Sequence, residues 1–127
     1  AHAEYMTMEL DGPAGNPRID SAFVNLGYFI TGETRSYSTS SGTFSRTRPA
    51  RPVSEGGAGA VEIAARYDYS DLNDVAAGAL TTWTVGLNWY VEDHFRVMAN
   101  YVTGELAVAG GANTDVSGPQ VRVQWDF

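Results

Sequence analysis

The 127-residue chain contains no cysteine and no lysine. The first absence removes any disulfide framework and any thiolate chemistry. The second makes arginine the only strong base, at eight residues against fifteen acids, for a net charge of -7. That balance argues against nucleic acid as a partner. No run reaches the roughly 18 apolar residues of a membrane-crossing helix. The opening "AHAEYMTMEL" lacks the basic start and apolar stretch of a signal peptide, so the chain reads as a mature or internal segment, or as a cytosolic protein. Histidine occurs only as His2 and His94, without metal-ligand spacing to other residues. The acids of "SDLND" miss the EF-hand pattern because Val75 stands where Asp or Asn is required. There is no nucleophile elbow, no phosphate-binding glycine loop and no acid–base pair, so the sequence does not read as an enzyme and implies no cofactor and no metal.

Glycine and aromatic residues are abundant, with 14 Gly, 7 Tyr, 5 Phe and 3 Trp. Strands bounded by glycine-rich turns use that mixture. Period-two alternation dominates and helical periodicity is almost absent. Six strands are expected, at about 2–10, 23–33, 60–70, 81–91, 94–106 and 117–127. In "TTWTVGLNWYV" the residues Trp83, Val85, Leu87 and Trp89 share one face, opposite Thr84, Gly86, Asn88 and Tyr90. In the ending "VRVQWDF", Val121, Val123, Trp125 and Phe127 alternate with Arg122, Gln124 and Asp126. The loops at 11–20, 71–80 and 109–118 read as long and polar, whereas Glu92–Asp93 reads as a tight hairpin turn. By parity the long loops share one side. The stretch 34–59, with Pro49 and Pro52, falls on the turn side and reads as an extended or irregular connection and not a strand pair. Residues 35–51 hold Arg35, Arg46, Arg48 and Arg51 with no acid, and read as a solvated connection tied by arginine to nearby carboxylates, the alternative being a contact with anionic lipid or a partner.

A soluble β-sandwich alternates in the same way, with the apolar face inward. Here the aromatic residues of the apolar face sit at its ends. Trp89, Phe95, Trp125 and Phe127 fall towards the tight turn, and Tyr67, Tyr69, Trp83 and Tyr101 towards the long loops, with small aliphatic residues between. Two aromatic belts about an aliphatic band suit the two interfaces of a membrane. The other face then lines water. Its candidate pore-lining residues are Glu62, Arg66, Asp68, Asn88, Arg96, Asn100, Arg122 and Gln124. Three arginines interleaved with acids fit a structural charge network as well as an anion path. Six strands are too few to close a membrane barrel, whose smallest examples have about eight. The chain is therefore part of a larger barrel or pairs with other chains.

The segments "GYFITGETRSY" (27–37), "GAVEIAARYDYSDLND" (59–74), "TVGLNWYVEDHFRVMANYV" (84–102) and "GPQVRVQWDF" (118–127) together resemble the carboxy-terminal part of the phosphate-selective porins of the O and P type. The resemblance implies an all-β antiparallel transmembrane barrel of about sixteen strands, of which this chain would supply the last six. It implies a homotrimer in the bacterial outer membrane, surrounded by lipid and lipopolysaccharide and completed by the rest of the barrel. It also implies that Val123, Trp125 and Phe127 form the signal read by the barrel-assembly machinery. The function expected is passive diffusion of small hydrophilic solutes, anions such as phosphate among them. A structural or scaffolding barrel segment and a soluble β-sandwich binding module are the alternatives.

Overall fold

The structure is a computed structural model that describes residues 1–13, 15–108 and 110–127. Ala14 and Ala109, which belong to two of the expected long loops, lie outside the described residues. The chain forms strands β1 (His2–Glu9), β2 (Arg18–Phe29), β3 (Tyr37–Ser38), β4 (Thr43–Phe44), β5 (Ala60–Leu72), β6 (Gly78–Glu92), β7 (Phe95–Ala107) and β8 (Thr114–Trp125). Six of them build one sheet in the order β1-β2-β5-β6-β7-β8, and β3 pairs with β4 in a separate two-stranded sheet. β1 and β2 are antiparallel, in a register that runs from His2 opposite Asn25 to Glu9 opposite Arg18. Among the described residues no helix is long and apolar enough to cross a membrane.

Several strand limits differ from the alternation pattern. β2 begins at Arg18 and ends at Phe29, rather than spanning 23–33. Its early start follows from backbone pairing with β1, which does not depend on side-chain polarity. Its early end follows from a turn in which Gly32, at φ 92°, donates its N–H to the Phe29 carbonyl at 3.3 Å. The loop expected at 71–80 shrinks to the five residues between Leu72 and Gly78, because both flanking strands extend. The two-residue hairpin turn is Asp93–His94, since Glu92 still belongs to β6. The stretch 34–59 is not free of strand pairing. Tyr37 and Ser38 pair with Phe44 and Thr43, and the two aromatic rings meet edge-on at 5.1 Å. A short 3-10 turn follows at Val53–Glu55.

The chain divides into two compact units, and β2, β5, β6, β7 and β8 each contribute to both. The first unit comprises 1–26, 65–85 and 101–119, and holds the described parts of the three loops between β1 and β2, β5 and β6, and β7 and β8. The second comprises 27–64, 86–100 and 120–127, and holds the Asp93–His94 turn and the connection 30–59. The buried apolar residues among those described, Phe29, Ala60 and Tyr90, all belong to the second unit. Thr47 and Pro49 of that connection are buried as well, and its Arg35 donates to the Tyr90 hydroxyl.

In each unit the pattern of exposure inverts that of a soluble half-buried sheet. In the first unit Trp83 and Val85 are each 56% exposed, while Thr82 and Thr84 between and beside them are partly covered. In the second unit Leu87 is 43% exposed, while Glu62 and Tyr90 on the polar face are each 5% exposed. Val121, Val123 and Trp125 of β8 are open as well. Water offers no driving force for such an arrangement, since fully burying a Leu or Val side chain gains about 1.5–3 kcal/mol. A lipid environment removes that penalty.

Candidate functional site

The polar face of the second unit is organised around Glu62. Alternation along β5 directs its side chain to the same face as Asn88 and Tyr90 of β6. Glu62 Oε2 accepts hydrogen bonds from Asn88 Nδ2 at 2.9 Å and from the Tyr90 hydroxyl at 3.0 Å. Arg35 arrives from the connection and donates from Nη2 to Oε2 at 2.9 Å, to Oε1 at 3.2 Å and to the Tyr90 oxygen at 2.8 Å. A buried carboxylate is tolerated only when its charge and lone pairs are matched in this way. Gly27 of β2 provides the room, because a Cβ there would lie 2.5 Å from Glu62 Oε1. Tyr90 is packed in turn against Phe29, with ring centroids 5.8 Å apart.

Further contacts hold the connection to this unit. Arg46 donates from Nη1 to His94 Nδ1 at 2.6 Å and approaches Asp126 at 3.9 Å. Arg48 lies 3.8 Å from Asp93. Glu92 accepts from the Ser54 N–H at 2.7 Å and from its hydroxyl at 2.9 Å. Glu33 accepts from the Ala50 N–H at 3.2 Å and from the Thr31 hydroxyl. Partial burial pushes the Glu33 carboxyl up, but the bonds from Thr31 and from backbone N–H groups outweigh it and hold the group below its ordinary value. Arg96 of β7 donates to Gln124 Oε1 of β8 from Nε at 3.1 Å and from Nη2 at 2.7 Å. An open pocket of about 240 Å³ lies among these groups, bounded by Arg35, Arg46 and Arg96, by the acids Glu92, Asp93 and Asp126, and by Phe44 and Tyr90.

The first unit holds a different cluster on its polar face. Arg66 Nε donates to both oxygens of Asp68 at 2.9 Å, and its guanidinium lies 4.0 Å over the Phe23 ring. Phe23 meets His2 edge-on at 5.2 Å, and His2 lies 3.0 Å from Glu4. Ser21, on the same face, donates to Ser70 at 2.9 Å. On the other face of the β1–β2 pair, which Val24 shares, Arg18 donates to Asp20 at 3.0 Å and to the Tyr5 hydroxyl at 3.0 Å.

The eight residues expected to line a pore are therefore divided. Glu62 and Asn88 meet in one cluster, Arg96 and Gln124 pair across β7 and β8, and Arg66 pairs with Asp68 in the other unit. Asn100 stands against Gly86, where an added side chain would require the Asn100 amide to shift. Arg122 is exposed. Of the expected interface aromatics, Tyr67 and Trp83 pack at 4.6 Å, and Phe95 and Trp125 at 5.7 Å. Trp89 Nε1 donates to the Ala58 carbonyl at 2.8 Å, and the Tyr101 hydroxyl to Ser117 at 3.4 Å. Tyr69 and Phe127 are exposed. The sequence reading missed Arg35, Gly27 and the Arg46–His94 contact. Its one usable signal was a basic stretch with no acid of its own.

Comparison with known proteins adds a family. Residues 1–127 match the family described as phosphate-selective porin O and P. Over 87 residues, 67% of its length, the chain is 46% identical to an uncharacterized protein of Caulobacter vibrioides. Over its whole length it is 28% identical to Porin O of Pseudomonas aeruginosa. These alignments span 17% and 32% of the two relatives' own lengths. No solved structure matches the chain.

Proposed function

The chain belongs to the phosphate-selective porin O and P family, and from that premise we propose that it forms part of the wall of a water-filled channel for passive diffusion of small hydrophilic solutes. The family places it in the bacterial outer membrane, as a segment of an antiparallel transmembrane β-barrel and not as an enzyme. The observation that carries the functional reading is the inverted exposure. Leu87 faces outward on an apolar face, and the charged Glu62 lies on the opposite face beneath Arg35. In a soluble sandwich a second sheet covers the apolar face. Here Leu87 remains 43% exposed and Val85 56% exposed.

In this reading the polar residues of β5 to β8 face the lumen and filter by charge and size, without catalysis. Small anions, phosphate among them, are the solutes that the family description suggests. The chain supplies the carboxy-terminal six strands of about sixteen, with β1 and β8 paired to the remaining strands so that no edge is left open in lipid. A homotrimer embedded in lipid and lipopolysaccharide is the proposed assembly. Val123, Trp125 and Phe127 are proposed as the signal for the barrel-assembly machinery. Planar-bilayer recording on the complete protein tests the function. Stepwise conductance at neutral pH supports it, whereas a folded protein that never conducts would leave only the scaffolding role.

A further inference from the structure

We propose that Arg46 and Arg96 form a binding site for a small organic monocarboxylate in the pocket of the second unit. The proposal rests on the reading of this polar face as water-lined, and it deepens that reading by naming a ligand class other than phosphate.

Three guanidinium groups border the pocket, but they are not equivalent. Arg35 is neutralised by the buried Glu62 and serves as wall. Arg46 and Arg96 are instead oriented by neutral acceptors. Arg46 donates to the imidazole of His94, and its nearest carboxylate partner, Asp126, is at the long distance of 3.9 Å. Arg96 donates to the amide oxygen of Gln124, and among the described residues it forms no ion pair. A guanidinium carries five N–H donors, so each arginine retains donors for a ligand. Neutral partners orient both side chains, with only the 3.9 Å contact of Asp126 set against the charge of Arg46, and a planar carboxylate fits such a fork in two parallel bonds.

The remainder of the pocket selects the type of anion. Phe44, 44% exposed, gives it an open aromatic wall, while Tyr90 borders it as a buried ring with the Arg96 guanidinium 5.8 Å away. The carboxylates of Glu92, Asp93 and Asp126 also border it. Each repels a dianion twice as strongly as a monoanion at the same distance, and each arginine attracts it twice as strongly, so charge alone does not separate the two anions. Inorganic phosphate is fully polar and gains nothing from the Phe44 ring. A monocarboxylate with an apolar body covers that ring.

Calorimetric titration of the complete, detergent-solubilised protein with benzoate and, separately, with inorganic phosphate tests this. It reads binding whether or not the protein conducts, so its outcome is separate from that of the bilayer recording. Benzoate should bind saturably and about tenfold more tightly than phosphate, and the double variant Arg46→Gln, Arg96→Gln should weaken benzoate binding by about tenfold or more. Arg46→Gln alone, on the connection and outside the main sheet, should weaken it while leaving heat-modifiable gel migration unchanged. Phe44→Ala should weaken benzoate and not phosphate. Equal affinity for the two anions, absence of benzoate binding, or undiminished benzoate binding in a folded Arg46→Gln protein would each overturn the proposal.

Discussion

Arg35 reaches a carboxylate 27 positions along the chain, and its guanidinium lies 2.9 Å from Oε2 of Glu62, which is 5% exposed. This contact ties the connection 30–59 to the wall formed by β5 and β6. Removing Arg35 leaves a buried charge with only Asn88 and Tyr90 as partners. Arg35→Ala should therefore destabilise the folded protein by on the order of 2 kcal/mol. Arg48→Ala serves as the control. Its side chain is 77% exposed and its partner Asp93 is at 3.8 Å, so the loss should stay under about 1 kcal/mol. The temperature at which heat-modifiable migration is lost should fall clearly for the first variant and barely for the second.

A second attachment of the connection depends on pH. Glu33 is held below its ordinary value in the folded chain, so it favours the charged state there more than in the unfolded chain. Its contribution is complete above the unfolded value and is lost as pH falls through the folded one. Proteolytic cutting within 30–59 should therefore rise as pH drops below the ordinary glutamate range. Glu33→Gln should cut more readily at neutral pH and show a flatter pH dependence. Proteolysis at a series of pH values with an acid-tolerant protease measures both.

The apolar face gives a prediction that separates lipid from water directly. Leu87 lies in the middle of β6 and is 43% exposed. On a soluble surface Leu87→Arg would be close to neutral. On a lipid-facing strand it should cost about 2–4 kcal/mol if the residue lies near the midplane. Denaturant titration of protein folded into lipid vesicles should show that loss, and Arg122→Gln on the opposite type of face should show little change.

The middle of each long strand was legible in the sequence because side-chain alternation reports which face is which. In β6 the run from Trp83 to Trp89 carries that signal without a break. The ends were not legible. Arg18 to Ser21 and Thr114 to Ser117 are held by backbone pairing, which leaves no trace in polarity. The connection 30–59 was the least legible part. Its anchors are single long-range contacts, Arg35 to Glu62 and Arg46 to His94, and no local period encodes them. Gly27 read as one more small residue in a strand. Only the position of Glu62 on the neighbouring strand shows why a side chain does not fit there.

The central claim is that successive residues of one strand face lipid and water in turn. Val121, Arg122 and Val123 of β8 test it most directly, since all three are exposed in the chain itself. The chain has no cysteine of its own, so single cysteines can be placed at each position in the complete protein, with any cysteine outside this chain removed. The protein is then reconstituted in bilayers and treated with a charged thiol reagent. The account predicts rapid labelling at position 122 and protection at 121 and 123, with all three labelled after denaturation. Rapid labelling at 121 and 123 in the bilayer, with 122 protected, would contradict it.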